Sequence, residues 1–363
     1  MIIKNYVKFS QEQIDMFMFK VNIEDILSGS EILRYDAASG ENYQRAPIPA
    51  HYRKIAKYLM NSAKPIMPTA ILGAIDEKDL IENGDELVFS SKIRIVDGQH
   101  RLCGVECLKD GRYIANSEKR FEELKSSFEF PVILMVLKEE DKLVEVDAFI
   151  NINSAGKSVK TDLAEALKRQ KYFKKRTGDS SYTVDDALLN TEANKLATRF
   201  AQEDSFWKDC ILLPNMTGAK PISVLAFMRA IRPIVVLAFK GRDEVTPEEL
   251  RTIEDSIFTD FNSMWNVVIN RWSECFGNER RSYDDRFNIC KGIGVFPLCQ
   301  IYADCIKQDK GIMEFTEIIN DSNVKYTDWY VGGNFTGYAS QQGFNQIRKF
   351  IIGEISRDDF EEN

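Results

Sequence analysis

Short apolar runs in the first half of the chain have the length and spacing of β-strands. The segments "TAILGAI" (69–75) and "ELVFS" (86–90) are bounded by turn-forming residues, and each predicts a strand. Between them, "DEKDLIENGD" (76–85) is rich in turn formers and predicts an extended turn. The continuous apolar run "FPVILMVL" (130–137) predicts a central strand that is buried on both faces.

The spacing of apolar residues changes from that of a strand to that of a helix between residues 93 and 111. Ile93 and Ile95 alternate with polar neighbours up to Asp97. Beyond Asp97, apolar residues recur at helical spacing up to Gly111, where the helix is predicted to end. These helical positions are Leu102, Val105 and Leu108. The pentapeptide "DGQHR" (97–101) is therefore predicted to lie at a strand-to-helix turn.

Two further helices are predicted on either side of this segment. Ile55, Tyr58 and Leu59 share one face at helical spacing, and the prolines at 47 and 49 limit how far that helix extends backward. A second helix is predicted through "DKLVEVDAFI" (141–150), followed by the polar loop "NINSAGKSVKT" (151–161). Thr161 and Asp162 can cap the N-terminus of the helix that follows.

Long helical patterns dominate the second half of the chain, from Asp185 to about Lys307. At 363 residues the chain is longer than most single domains. We therefore predict an α/β domain over residues 1–178 and a mostly α-helical domain over residues 179–363.

Composition narrows the possible partners. The 44% of apolar residues suffice for a buried core, and 48 Lys and Arg against 56 Asp and Glu give a net charge of -8. This balance argues against tight, non-specific wrapping of nucleic acid, although a local basic surface remains open. The start of the chain lacks the features of a secretion signal, and no apolar run reaches the roughly 18 residues of a membrane span. We expect a cytoplasmic protein that does not enter a membrane.

The seven cysteines form no CxxC pair and no pattern with histidine that is typical of a metal site. An odd number also does not suggest a complete disulfide framework, so we expect reduced thiols. Cys103 and Cys107 would share one helix face, but without histidine partners they make a poor zinc site. No protein-bound metal centre is predicted.

A strand that ends in a tight turn and opens a helix directs free backbone N–H groups and the positive helix end toward one point, which suits a phosphate. Gly98 allows close approach of a ligand, and Arg101 can bind phosphate oxygens as a fork. His100 can donate a hydrogen bond or move a proton near neutral pH. Asp97 could hold a metal ion or orient a water. The alternative is an ordinary Asp-Gly turn with a helix-start residue and a surface charge.

The full signature "VDGQHRL" resembles that of the DGQHR-domain family, in the ParB/sulfiredoxin-like superfamily, which includes the DNA-modification proteins DndB and DpdB. By chance the pentapeptide would occur in a chain of this length on the order of once in ten thousand sequences. The resemblance also covers "IPAHYRKIAKYL" and "FININSAGKSVKTDLAEAL", and it spans roughly residues 45 to 170. Weaker similarity occurs in "LATRFAQEDSFWKD" and "CKGIGVFPL" of the helical half.

The resemblance implies a ParB/sulfiredoxin-like fold for the first domain and a nucleotide, ATP or another nucleoside triphosphate with Mg²⁺, at the turn. It implies phosphate contacts from Gly98, Gln99, His100 and Arg101, and a supporting or metal-facing role for Asp97. The implied catalytic residues are then Asp97, His100 and Arg101. Sulfiredoxins carry a catalytic cysteine immediately before the His-Arg pair, and Gln99 occupies that position here. Repair of sulfinic acids is therefore not expected.

Two other groups of polar residues are candidates for the same pocket. Asn151, Asn153, Ser154 and Lys157 could contact base, ribose or phosphate, or they could form a polar loop with an ordinary cap. A second wall of the pocket could be formed by residues before and on the early helix, although an exposed histidine is common on helices. These residues are Gln44, Arg45, His51 and Arg53.

The segment "KRQKYFKKR" (168–176) places six positive charges around Tyr172 and Phe173. Such a run can follow a nucleic-acid backbone and stack on bases. It can equally be a solvated helix end whose positive charges face the negative end of the dipole.

The leading hypothesis from the sequence is a nucleotide-dependent, ATP-hydrolysing component of a bacterial or phage DNA-modification or defence system that acts with a partner modification enzyme. One alternative is a DNA-binding protein, either a DndB-like transcriptional regulator or a ParB-like nuclease. A further alternative is a scaffold whose helical half docks onto partner enzymes. The acidic net charge favours the first hypothesis over the regulator.

Overall fold

The computed structural model is a mixed α/β structure of two compact units, Met1–Val159 and Lys160–Asn363. The boundary between the units precedes the one predicted at residue 178, so the described residues from 163 to 176 belong to the second unit. The structure describes residues 1–36, 42–111, 113–138, 142–154, 163, 166–169, 172–173, 176, 178–214, 216, 218–277 and 282–358.

The first unit is built on strands, with helices on its sheet. Its strands are β1 (Ile2–Lys4), β2 (Val7–Gln11), β3 (Ile14–Asn22), β4 (Ser30–Glu31), β5 (Ile71–Asp76), β6 (Leu80–Asn83), β7 (Glu86–Phe89), β8 (Ile93–Asp97) and β9 (Glu129–Leu137). Its helices are α1 (Ile23–Gly29), α2 (Pro49–Asn61), α3 (Gln99–Lys109), α4 (Ser117–Lys125) and α5 (Lys142–Ser154).

A mixed six-stranded sheet of order β2-β3-β9-β5-β8-β4 forms the centre of this unit, and β1, β7 and β6 form a second, antiparallel sheet. β5 runs parallel to β9 and antiparallel to β8, with a register irregularity between Leu72 and Gly73 opposite the end of β8. The core contains Phe130, Val132 and Leu134 of β9, each fully buried. β8, the strand that leads into "DGQHR", therefore lies inside the six-stranded sheet, between β5 and β4.

Most elements predicted in this half are confirmed, including β5, β7, β8, α2, α3 and β9. The second face of β9 is less buried than predicted, since Pro131 and Ile133 are partly exposed. One prediction was wrong, because the segment 76–85 contains a strand in addition to a turn. Leu80–Asn83 forms β6 and pairs with β7 around Gly84, whose φ of 60° suits glycine. The strand was not predicted because its only apolar pair, Leu80 and Ile81, is short and is flanked by acidic residues.

Helices α2 and α3 lie against each other because of one glycine. A Cβ atom at Gly104 of α3 would lie 2.6 Å from Cγ2 of Ile55 and 3.2 Å from the carbonyl oxygen of Tyr52, both on α2. The absence of a side chain at Gly104 thus permits the close approach of the two helices. This approach brings the start of α2 next to the start of α3.

The second unit is mostly helical and packs around aromatic side chains, among them Trp207, Phe227, Phe261 and Trp265, all fully buried. Its helices are α6 (Asp186–Gln202), α7 (Val224–Ala238), α8 (Pro247–Arg271), α9 (Gly292–Lys307), α10 (Gly311–Asp321) and α11 (Gln341–Ile351). Three short strand pairs connect them: β10 (Tyr182–Thr183) with β13 (Glu244–Val245), β11 (Ile211–Leu212) with β12 (Ile222–Ser223), and β14 (Phe276–Gly277) with β15 (Ser282–Tyr283). Within the described ranges, no helix has the length and apolar character needed to cross a membrane.

Candidate phosphate-binding site

The "DGQHR" segment forms the predicted strand-to-helix turn. β8 ends at Asp97, Gly98 adopts a left-handed backbone with φ 108° and ψ 3°, and α3 begins at Gln99. A Cβ atom at Gly98 would lie 3.0 Å from Nη2 of Arg101 and 3.1 Å from Cγ1 of Ile71. The backbone conformation therefore favours glycine at this position, and a Cβ atom would fit only if Arg101 or Ile71 moved by a few tenths of an ångström.

Arg101 stabilises the turn from within the protein. Its Nη1 donates to Thr69, at the carbonyl oxygen and at Oγ1 (2.7 Å), and its Nη2 donates to the carbonyl oxygen of Ala70 (3.0 Å) and to Oδ2 of Asp97 (3.1 Å). These four bonds use all four Nη protons. The phosphate fork expected of Arg101 is thus already occupied by protein acceptors, which attach the turn to the start of β5.

His100 is held as a neutral imidazole. Its Nε2 accepts a hydrogen bond from the backbone N–H of Ile48 (3.0 Å), the residue that precedes α2, so the ring proton lies on Nδ1. Burial, together with the charges of Arg45 and His51, lowers the pKa of His100 to about 4, and the Asp97 carboxylate opposes part of this shift. Of the two expected roles, the structure favours hydrogen-bond donation from Nδ1 over proton transfer near neutral pH.

The lowered pKa of His100 makes the stability of the first unit dependent on pH. Because the folded-state pKa is about 4 and the ordinary value is 6.5, the unfolded chain takes up the proton first as the pH falls. The stabilisation is complete above pH 6.5 and is lost toward pH 4. We expect a loss of about 1 to 2 kcal/mol, a figure reduced because the ring is only partly buried.

Hydrogen exchange of the β8–α3 segment between pH 6.5 and 4, corrected for the intrinsic exchange rate, measures this loss. His100→Gln retains an acceptor for Ile48 but cannot titrate, so it should lack the pH-dependent term. His51→Gln is the comparison and should keep most of this term, because burial, the largest cause of the lowered pKa, is unchanged. An equal pH dependence in His100→Gln and the wild type would contradict the assignment.

The start of α3 presents polar groups that have no hydrogen-bond partner in the described part of the chain. The backbone N–H groups of Gln99 and His100 precede the first intrahelical bonds and find no acceptor among the described residues. The side chain of Gln99 is 5% exposed, and its Oε1 also has no hydrogen-bond partner in that part of the chain. Since buried polar groups are nearly always paired, the buried Oε1 of Gln99 beside these open N–H groups indicates a place for a ligand or ordered water.

Of the four residues predicted for a second wall, Arg45 and His51 lie at the turn. Nε of Arg45 is buried without a partner in the described structure, and the Arg45 charge acts on His100. The His51 and His100 ring centroids are 5.4 Å apart. Gln44 is fully buried and structural, since its Nε2 donates to the carbonyl oxygens of residues 95 and 96 at 2.7 Å each. Arg53 lies over the Tyr113 ring, 4.7 Å from its centroid.

The residues predicted in a polar loop after residue 150 are partly helical. α5 continues to Ser154, so Asn151, Asn153 and Ser154 lie in its last turn and the prediction of a loop there was wrong. Nδ2 of Asn153 donates to the carbonyl oxygen of Phe149 (2.9 Å), one turn earlier in the same helix. Lys157, Thr161 and Asp162 lie outside the described residues. Within the described contacts, no hydrogen bond connects Asn153 to the "DGQHR" turn.

The segment 168–176 belongs to the second unit, and its aromatic residues pack inward. Tyr172 is 7% exposed, and Phe173 makes edge-to-face contacts with Tyr172 and Tyr182. Arg176 lies over the Tyr172 ring, 3.9 Å from its centroid, and Arg169 donates to Oγ1 of Thr198 (2.8 Å). Stacking of bases on Tyr172, as the nucleic-acid hypothesis requires, would need this packing to open.

Metal-binding chemistry has little support within the described ranges, where no group of three or more His, Cys, Asp or Glu side chains is arranged to hold an ion. Asp97 is the carboxylate at the turn; its side chain is 42% exposed, and Oδ2 is bonded to Arg101. A Mg²⁺ ion would therefore have to enter with a nucleotide and take at most this one carboxylate from the turn. Cys103 is buried, and burial raises the pKa of its thiol to about 11, so it is not an activated nucleophile.

The structure also contains a buried charged network beside the turn that was not predicted from the sequence. Nη1 of Arg94 lies 2.8 Å from Oδ1 of Asp76, and Nε of Arg94 donates to Oε2 of Glu145 at 2.9 Å. The Tyr43 hydroxyl donates to Oε1 of the same glutamate. Single charges inside the apolar runs of β8 and α5 were the available signal, because charged residues are rarely buried unless paired.

Comparison of the chain with protein-family models, with curated proteins and with solved structures found no match.

Proposed function

We propose that this protein is a nucleotide-dependent component of a DNA-modification or defence system, and that the turn from Asp97 to Arg101 binds the phosphates of ATP or another nucleoside triphosphate with Mg²⁺. The observation that supports the proposal most is a set of donors around the turn that have no partner among the described residues: the N–H groups of Gln99 and His100 and the buried Nε of Arg45, whose charge acts on His100. The resemblance of "VDGQHRL" to the DGQHR-domain signature supplies the biological setting.

In this proposal the residues of the turn have roles in phosphate binding that differ from those expected from the sequence. The N–H groups of Gln99 and His100 and the Nδ1–H of His100 donate to phosphate oxygens, and Arg45 supplies the positive charge. Gly98 lets the phosphate approach the backbone, and Arg101 keeps the turn rigid. A rigid set of donors requires little reorganisation when the anion binds.

The ATP-hydrolysing part of the proposal depends on Asp97. His100 is neutral with Nε2 occupied, so it cannot accept a proton from water without losing its bond to Ile48. The remaining oxygen of Asp97 can orient a water or contact Mg²⁺ brought by the nucleotide. Release of phosphate should therefore fall strongly in Asp97→Asn if hydrolysis occurs, whereas nucleotide binding should be retained.

Calorimetric titration of ATP, CTP and GTP with Mg²⁺ tests the proposed site. Arg45→Met should weaken binding about ten- to a hundredfold, because a charge-assisted phosphate contact in a partly buried position is lost. The fold should be unaffected, since Arg45 makes no ion pair in the described structure.

Arg53→Met is the matched control, since it removes an arginine of the same unit that stacks on Tyr113 away from the turn. It should leave the affinity within about twofold of the wild type. If the folded wild type bound none of the three nucleotides, the proposal would fail and the DNA-binding regulator would become the leading hypothesis. DNA affinity with a strong salt dependence would then support that alternative.

Binding of DNA and of a partner modification enzyme belongs to the same proposal. The net charge of -8 and the inward packing of Tyr172 favour recruitment through a partner over tight DNA binding by this chain alone. Size-exclusion chromatography of the protein with candidate modification enzymes encoded beside it, with and without MgATP, tests the partnership.

A further inference from the structure

The buried charged network beside the turn joins four separate segments of the first unit. Arg94 belongs to β8, Asp76 to the end of β5, Glu145 to α5, and Tyr43 to the irregular segment that precedes α2. The Glu145 side chain is 5% exposed, and those of Arg94 and Asp76 are 14% exposed. Besides donating to Glu145, the Tyr43 hydroxyl lies 3.3 Å from the carbonyl oxygen of Ile95.

Such a network contributes little to stability relative to apolar packing. Burying one guanidinium with two carboxylates carries a large desolvation cost, which the ion pairs repay only in part. Buried ionic groups of this kind can instead fix which segments meet and in what register. The burial of Tyr43 and its contact with the Glu145 carboxylate raise the pKa of the phenol, so its hydroxyl stays a donor.

The position of each member relative to the turn indicates what the network fixes. Tyr43 lies two residues before Arg45, and Arg94 lies three residues before Asp97. The intervening Gln44 is hydrogen-bonded to the same strand, through Nε2 to the carbonyl oxygens of residues 95 and 96. The network thus acts on both sides of the candidate site, the arginine side and the turn side.

We infer that Tyr43, Arg94 and Glu145 are positioning residues that hold Arg45 against His100 and the start of α3. The inference rests on the proposed phosphate site for its functional meaning, but the coupling that it describes exists in the ligand-free protein. Removal of the Tyr43 hydroxyl should loosen the segment that carries Arg45, while Gln44 keeps its hydrogen bonds to β8. The site should then lose its preformed arrangement of charge while the sheet stays intact.

The titration of His100 in the ligand-free protein measures this coupling directly. The chain has two histidines, so selective ¹⁵N labelling of histidine gives only two ring systems to assign. In Tyr43→Phe, displacement of the Arg45 charge should raise the titration midpoint of His100 by about half a unit to one unit. Glu145→Gln should shift it in the same direction, since the Tyr43 hydroxyl then faces a weaker acceptor.

Tyr6→Phe is a matched control within the same unit, because the Tyr6 hydroxyl also donates to a glutamate, Oε1 of Glu82 (2.9 Å), but at an exposed position. It should leave the midpoint of His100 unchanged. An unchanged midpoint in Tyr43→Phe, with the variant folded, would overturn the inference. Failure of the wild type to bind any nucleotide would instead refute the proposed function and leave the coupling to be judged by the titration.

Where the wild type binds nucleotide, the same variants give a second readout. Tyr43→Phe should weaken binding about five- to tenfold, less than Arg45→Met, because the arginine is present but no longer held in place. Tyr6→Phe should bind as the wild type does. Equal affinities in Tyr43→Phe and the wild type would also contradict the positioning role.

Discussion

Replacement of Gly98 by alanine is expected to lower the free energy of unfolding of the first unit by about 3 kcal/mol. Two effects together lower the free energy of unfolding at this position. The φ of 108° is strained for any residue with a side chain, and the new methyl group would lie 3.0 Å from Nη2 of Arg101 and 3.1 Å from Cγ1 of Ile71. Relief of the contact requires the Arg101 hydrogen bonds or the β5 strand to move.

Gly84 offers a matched control for Gly98→Ala. It also has a positive φ, 60°, but a Cβ atom there would meet nothing within 4 Å. Gly84→Ala should therefore cost only the backbone strain, about 1 kcal/mol. The four tryptophans all lie in the second unit, so tryptophan fluorescence does not report on unfolding around Gly98 or Gly84.

Hydrogen exchange followed by mass spectrometry on peptides from β8 and α3 is the suitable measurement. A loss of 3 kcal/mol corresponds to about a hundredfold faster exchange where exchange follows equilibrium opening. Similar effects of Gly98→Ala and Gly84→Ala would show that the contacts with Arg101 and Ile71 carry no cost.

Arg101→Met is expected to destabilise the same unit by about 3 kcal/mol, whether or not nucleotide is present. The change leaves the carbonyl oxygens of Thr69 and Ala70 and the Asp97 carboxylate without their donor. Lysine should restore only part of the loss, because one ammonium group cannot reproduce the planar set of guanidinium donors.

Arg53→Met again serves as the control and should change stability by less than about 0.5 kcal/mol, as is usual for an exposed side chain. The comparison also separates two roles for Arg101. An Arg101→Met variant of normal stability that has lost nucleotide binding would restore Arg101 as the phosphate ligand. A destabilised variant that still binds nucleotide supports its role as a clamp of the turn.

The position of the candidate site in the fold could be predicted from the sequence. Alternation at Ile93 and Ile95, followed by helical spacing from Leu102, is a local pattern, and the backbone at Gly98 follows it closely. The strand β9 could also be predicted from the sequence, because a continuous apolar run of that length is typical of a buried strand.

The assignment of roles within the site could not be predicted, since it depends on contacts between distant segments. A sequence does not reveal that Thr69 and Ala70 occupy the Arg101 donors, or that the N–H of Ile48 occupies Nε2 of His100. The same reason explains why Arg45 was only one of four candidates for the second wall. Long-range hydrogen bonds thus determined which side chains keep donors for a ligand.

Binding of phosphate groups between Arg45, His100 and the start of α3 is tested most directly by ¹⁵N-histidine spectra recorded with and without MgATP. We expect the His100 signals to move on addition of MgATP, to move less with adenosine alone, and to need about ten- to a hundredfold more MgATP for the same change in Arg45→Met. His51, whose ring lies 5.4 Å from that of His100, should move in parallel but to a smaller extent. Unchanged signals of both histidines at saturating MgATP would contradict the claim.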